Sequence, residues 1–448
     1  MTKGFKKWTR TAALIMAVIL AVAGFAGCSQ GGSVGKTVLT VNGERVSDAE
    51  CNYYYVYYLT QNGIDITTQE GVSMLNSSTG LEEFPTFDDY FRYMVAREIQ
   101  KTVLCLNEAK VQGWQLPSEK GKQEADSAMT QMLKECEDAG VTLDDYIKKM
   151  FGSDITQQDI RMVFERMYTA KDYYTTVLEP QWIPSEEEVI TWYNGNAQDF
   201  DKVDFRSLFL PYKEGDTAAN AQTLAKGQEM LGKLTTEESF ISLAKEYVPA
   251  GNEEAAADRD ATLNQNALKQ TLNEAPAAWL FEAGRKNGDK TVVEDSKGVY
   301  VLYFLNRRKA EEPLATVRQI SVLSKDVGDM QIAKAKADAL LDKFTTEEEF
   351  VKLVAENSSL SEEKENGGLY ENVYMGGQPQ PMEDWCFDSA RKAGDKAVIE
   401  SEYGAHVFYF VKRTEDAEWH NRSYNALYTH KMEAAMNSLR EKYPYSFS

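Results

Sequence analysis

Lys233-Leu-Thr-Thr-Glu-Glu-Ser-Phe240 returns later in the chain as Lys343-Phe-Thr-Thr-Glu-Glu-Glu-Phe350, 110 residues on. A second block repeats at a spacing of 106: Trp279, Gly288, Gly298, Tyr303 and Arg307 return as Trp385, Gly394, Gly404, Tyr409 and Arg413. Two matching blocks in one order mean a duplicated domain, with a four-residue difference in the loop between them. The copies run over roughly 203–310 and 315–414. Each opens on a strand, Phe205-Arg-Ser-Leu-Phe-Leu210 or Val317-Arg-Gln-Ile-Ser-Val322. An Ala/Lys/Leu-rich helix follows, as in Ile332–Phe344, and then a second helix with one apolar face. A short Trp-centred helix and a Gly-Asp turn lead to a last β-rich segment, Gly298–Asn306 or Gly404–Lys412. Several strands around a few helices make a compact α+β unit.

Upstream of the repeat the periodicity is helical. Thr37–Val46 places β-formers around Asn42-Gly43, the signal of a tight hairpin. Ser47 with Glu50 forms a capping box that opens a helix carrying Tyr53, Tyr54, Tyr55, Tyr57 and Tyr58. That aromatic run reads as a packed helix face, with a grip on unfolded chains as the alternative. Helical spacing continues over 87–112, 119–139, 143–151 and 157–178, and Thr156 with Asp159 is a further start signal. Residues 37–182 are thus one helical domain. Ser185 with Glu188 caps a connecting helix, so 183–310 holds that helix and the first copy, and 311–414 the second. In 415–448, Trp419, Tyr424, Leu427, Met432 and Met436 suggest a terminal amphipathic helix. His420 and His430 on it read as solvated or edge-packed.

Composition narrows the function. The 448 residues carry 70 acids against 49 bases, a net charge of −21, which opposes phosphate binding and so nucleic-acid partners. Three histidines (His406, His420, His430) without zinc-ligand spacing exclude His-rich metal chemistry. No cofactor or metal motif is present, and no nucleotide-binding glycine run. Residues 1–27 begin with Lys3, Lys6, Lys7 and Arg10 and continue with a short apolar run, the pattern of an export signal. The ending Phe25-Ala26-Gly27-Cys28 resembles a bacterial lipobox, although that pattern has Leu where Phe25 stands. It implies lipidation at Cys28, with residues 28–36 as a flexible tether. Removing the leader takes away four bases and no acid, leaving −25. Of the remaining cysteines, Cys51, Cys105, Cys136 and Cys386, buried free thiols are the favoured reading over disulfides.

The second copy resembles a parvulin-type peptidyl-prolyl isomerase domain. The resemblance rests on Gly367-Gly368-Leu369, Pro381-Met382-Glu383-Asp384, Phe387, Gly394-Asp395 and Tyr403-Gly404-Ala405-His406-Val407. The whole chain is similar to the PrsA/SurA group of extracytoplasmic foldases. That implies a multi-domain α+β protein: a helical SurA-N-like chaperone domain, two parvulin-like α+β domains and a C-terminal helix. The resemblance also implies a polar pair on adjacent strands, falling on His406 and on Gln319, where the family has a second histidine. The family's Cys or Asp falls near Leu360. Leu369, Met382 and Phe387 fall on the proline pocket, with Met382 at a place usually given to Phe and the usual Met near Gln378. In the first copy Tyr300 replaces His406, Ser207 replaces Gln319, and there is no Gly-Gly loop, so that copy reads as a binding or spacing module.

Three functions remain open. The first is a lipid-anchored extracytoplasmic foldase acting on unfolded or nascent exported proteins, with isomerase activity at His406. The second is a holdase with both copies degenerate. The third is a surface lipoprotein with one dedicated partner.

Overall fold

The computed structural model describes residues 39–66, 68–249, 251–252 and 258–447. Cys28, the leader and the tether lie outside the described residues. The chain divides into two compact units, one of residues up to Pro184 with Tyr428–Ser448, the other Ser185–Leu427.

In the first unit β1 (Leu39–Val41) and β2 (Glu44–Arg45) form the expected hairpin. Asn42 and Gly43 turn it at φ 53° and 77°, the left-handed pair that suits Asn-Gly. Six helices follow: α1 (Asp48–Gln61), α2 (Gln69–Leu75), α3 (Phe87–Val111), α4 (Glu119–Asp138), α5 (Leu143–Phe151) and α6 (Gln157–Tyr173). Each N-cap is a Ser or Thr whose side chain accepts a first-turn amide, relieving one of the four orphan donors. The Thr156–Asp159 capping box is complete. At α1 it is half complete. Ser47 accepts the Glu50 amide, but the buried Glu50 carboxylate turns away to Arg166 Nε at 3.1 Å. Tyr53, Tyr54 and Tyr55 are buried, with Tyr53 edge-on to Phe164, so that part of the run is packed core.

The second unit opens on α7 (Glu186–Asn196), capped by the Ser185–Glu188 box. The first repeat comprises β3 (Lys202–Pro211), α8 (Thr217–Lys233), α9 (Glu237–Tyr247), β4 (Leu263–Leu268), α10 (Glu274–Leu280), β5 (Lys290–Glu294) and β6 (Gly298–Arg308). The second comprises β7 (Pro313–Leu323), α11 (Ser324–Val327), α12 (Met330–Leu341), α13 (Glu347–Asn357), α14 (Ser361–Asn366), β8 (Leu369–Val373), α15 (Gln380–Phe387), β9 (Lys396–Ser401) and β10 (Gly404–Ala417). The sheets have the same antiparallel order, β4-β3-β6-β5 and β8-β7-β10-β9. The octets that revealed the repeat are the N-terminal starts of α9 and α13. Helix α16 (Glu418–Lys442) and strand β11 (Tyr445–Phe447) close the chain. β11 pairs with β1 in the first unit, a strand that carried no signal of its own.

Side chains alternate across a strand with a period of two, and this sorts the second sheet into two faces. Ile320, Val322, Ala405 and Val407 pack under α12 and α13 with Phe344 and Phe350. Val317, Phe408 and Phe410 face the other way, onto Met382, Cys386 and the partly buried Phe387. Gln319, Ser321 and His406 continue that second face. The described cysteines Cys51, Cys105, Cys136 and Cys386 are free thiols. Among the described residues no helix is long and apolar enough to cross a membrane.

Candidate active site of the second repeat

Strands β7 and β10 are central neighbours, with His406 opposite Ser321 and Phe408 opposite Gln319. The cross-strand register therefore puts one imidazole, one amide and one hydroxyl on the same face, beside an apolar patch. His406 Nδ1 lies 3.1 Å from both Gln319 Nε2 and Ser321 Oγ, and Nε2 lies 2.9 Å from Ser401 Oγ. Two glycines make the arrangement possible. Gly368, at φ 70°, accepts the Gln319 amide, and a Cβ there would stand 2.3 Å from the Gln319 carbonyl oxygen. Gly404 leaves the same clearance against Val322 where β10 begins.

Beneath the imidazole sits a fully buried carboxylate. Glu363, on α14, accepts from Ser321 Oγ at 2.7 Å and Tyr370 OH at 2.9 Å through Oε1. Through Oε2 it accepts from the Ser321 amide at 2.8 Å and Ser358 Oγ at 2.5 Å. Burial pushes the Tyr370 phenol up, and the adjacent Glu363 charge adds to it. Burial holds the His406 imidazole below its ordinary value, against the opposing pull of Glu363. A neutral ring is thus favoured in the folded state.

The expected residues fall into three groups. His406 and Gln319 meet, as the resemblance implied. Met382 is buried and Phe387 half-buried in the apolar patch on the same face of the sheet. Leu369 departs from expectation: it stands opposite Arg318, not on the His406 face. Arg318 reaches the helix side, donating to Glu347 at 2.7 Å. The first repeat explains this. There Leu263 stands opposite Arg206, which donates to Glu237 at 2.8 Å. A leucine kept in both copies is a packing residue, and its neighbour Tyr370 takes the site face. At Leu360 there is no polar group; the acid comes from Glu363, one helical turn later. Glu363, Ser321, Ser358, Ser401 and Tyr370 were all missed, because each reads as an ordinary solvated side chain.

In the first repeat Tyr300 pairs with Phe209, their rings 4.7 Å apart. Its hydroxyl joins Asp295 at 3.2 Å and Asn273 at 2.5 Å, and Ser207 binds Asn264. Among the described residues no imidazole and no buried acid stand there.

Residues 184–319 and 300–414 each match a family model described as a PPIC-type PPIase domain. Residues 184–414 belong to the PPIC-type PPIase (parvulin) family. Among solved structures, a peptidylprolyl isomerase (PrsA) from Bacillus anthracis is similar at 14% identity. That alignment covers 56% of this chain and 96% of the other, with a TM-score of 0.22. None of the curated proteins matches. The two PPIC-type domains correspond to the two sheets, the second with the His406 cluster and the first without it.

Proposed function

We infer that the chain is an extracytoplasmic foldase whose second PPIC-type domain isomerises X–Pro bonds in exported polypeptides. The observation that carries this is the His406–Gln319–Ser321–Ser401 cluster beside the Met382–Phe387–Phe408 patch. Rotation about an X–Pro bond is opposed by a barrier of about 18–20 kcal/mol because amide resonance is lost. A catalyst need only bind the twisted amide better than either planar form. An apolar shelf holds the pyrrolidine ring, and a hydroxyl or amide donor meets the rotating carbonyl. Neither a nucleophile nor a metal takes part. The leader and Cys28 support export and a lipid anchor in the membrane. Two acyl chains would make such an anchor stable, and Cys28→Ser should then release the protein from the membrane fraction.

A protease-free proline-isomerisation assay on the full chain tests the reading. The wild type should accelerate the reaction, and His406→Ala should lose about tenfold or more, the equivalent of one hydrogen bond made in the transition state. A wild-type rate equal to the uncatalysed one overturns it.

A holdase function is favoured by a separate observation in the helical unit. A cavity of about 700 Å³ opens there, lined by Tyr57, Tyr58, Tyr90, Tyr93, Met432 and Met436 among others. Aromatic and thioether walls adapt to varied apolar side chains. Suppression of client aggregation by His406→Ala at the wild-type level would separate this function from isomerisation.

A further inference from the structure

Five donors surround the Glu363 carboxylate, four of them close. A carboxylate accepts only, and its two oxygens offer about four lone-pair sites. The four nearer donors fill them: Ser321 Oγ and Tyr370 OH on Oε1, the Ser321 amide and Ser358 Oγ on Oε2, at 2.5–2.9 Å, with Gln319 Nε2 farther off at 3.1 Å from Oε1. The single Ser321 hydroxyl proton is therefore spent on Glu363, and Ser321 Oγ can only accept from its other neighbours. Gln319 Nε2 lies 2.7 Å from that oxygen and 3.1 Å from Glu363 Oε1. An amide oxygen in its place would face two oxygens, so the nitrogen end of Gln319 is held there. One amide proton goes to Ser321 Oγ. With Glu363 filled by its four nearer donors, the other goes to His406 Nδ1 at 3.1 Å; a proton on Nδ1 would instead point at Ser321 Oγ, also 3.1 Å away, and would turn the second Gln319 proton onto Glu363 as a fifth donor. Nδ1 is then an acceptor, and the neutral ring carries its proton on Nε2, donating to Ser401 Oγ at 2.9 Å. Ser401 Oγ also receives the Tyr403 amide at 3.2 Å. Its own hydroxyl proton remains to be given away.

We propose that Glu363 is the positioning residue of this site: acting through Ser321 and Gln319, it fixes His406 as the Nε2–H tautomer and leaves Ser401 as the hydrogen-bond donor offered to the substrate carbonyl. The family resemblance places a Cys or Asp near Leu360; the fold supplies an acid from a different position, by a longer side chain. The relevance of this arrangement to catalysis rests on the isomerase reading above, but the tautomer itself does not.

The test is a two-bond proton–nitrogen correlation spectrum of the full chain, at a pH where the imidazole is neutral. Only three histidines contribute, and His406→Asn identifies the ring in question. The wild type should show the Nε2–H form. Glu363→Gln removes the acceptor that orients Ser321 and Gln319, and the Nδ1–H form should rise from a minor species to about half of the ring population. Ser358→Ala, which touches only Oε2, should keep the wild-type tautomer. In the isomerase assay Glu363→Gln should lower kcat by more than it raises KM. The proposal fails if the wild type is Nδ1–H. It also fails if Glu363→Gln leaves the Nε2–H form intact while the His420 and His430 signals stay those of the folded chain. Should Glu363→Gln unfold the domain, Ser321→Ala breaks the same relay and must shift the tautomer. A wild type without isomerase activity would overturn the function proposed above and leave the tautomer result to decide Glu363 by itself.

Discussion

Glu363 sits in Ser361-Glu-Glu-Lys-Glu-Asn366, which in sequence is a solvated, charged turn of helix. Only the packing of α14 against β7 turns one of its three acids inward, where four donors offset the cost of burying a charge. His406 was legible for the opposite reason: Gly404-Ala405-His406 stands at the start of a β-rich segment, and the family motif names it. Its surroundings carry a pH consequence. The folded chain keeps the ring neutral, whereas the unfolded chain takes up a proton as pH falls through roughly 6.5. The unfolded state then binds more protons, so stability is complete above that pH and declines below it, until the lower folded value is reached. The urea midpoint of the wild type should accordingly fall more steeply between about pH 7.5 and 5.5 than that of His406→Asn. Equal slopes would contradict it.

At the scale of elements, strand alternation does most of the sorting. Phe408 and Phe410 point to the site face and Val407 to the helices, a pattern that can be read once the strand is known. Leu369 could not be assigned to a face in advance, since its face depends on the register of β8 against β7 and a one-residue slip reverses it. Helix starts were readable where the cap residues have only local work, as at Thr156–Asp159 and Ser185–Glu188. At Ser47–Glu50 a distant arginine takes the carboxylate away. Helix α15 contributes Met382, buried against Phe408 and Cys386. Met382→Ala should destabilise the second domain by about 2–4 kcal/mol through lost burial and the cavity left behind. It should also raise KM for a proline-containing peptide, since the shelf loses its side chain. An unchanged KM would remove Met382 from the substrate site.

For the molecule, one junction ties the repeats of the second unit together. Lys202 at the start of β3 is fully buried, its Nζ 2.5 Å from Glu418 on α16 and 3.8 Å from Glu312 between the repeats. Burial pushes Glu418 up, against the lowering pull of Lys202. Removing one partner of such a pair leaves an uncompensated charge, so Lys202→Met should cost about 3–5 kcal/mol. Lys202→Met combined with Glu418→Leu should recover most of that loss in urea unfolding, and a double variant as weak as the single would refute the pairing. The repeats also meet at Gly376, where a Cβ would lie 2.5 Å from the Asn266 carbonyl oxygen. The first domain thereby braces the loop that leads into α15, a structural use for a copy without the His406 cluster.

The sequence by itself determined the duplication, the helical first domain, the position of His406 and the loss of its counterpart at Tyr300. These follow from patterns that are local or repeat at a fixed spacing. Tertiary structure alone decided that Glu363 supplies the acid, that Ser321 and Ser401 flank the imidazole and that Leu369 faces away. Those facts depend on which strands pair, in which register, and which of several chemically identical carboxylates is carried out of water. Hydrogen-bond partners 42 residues apart, such as Ser321 and Glu363, leave no periodic trace in a single chain.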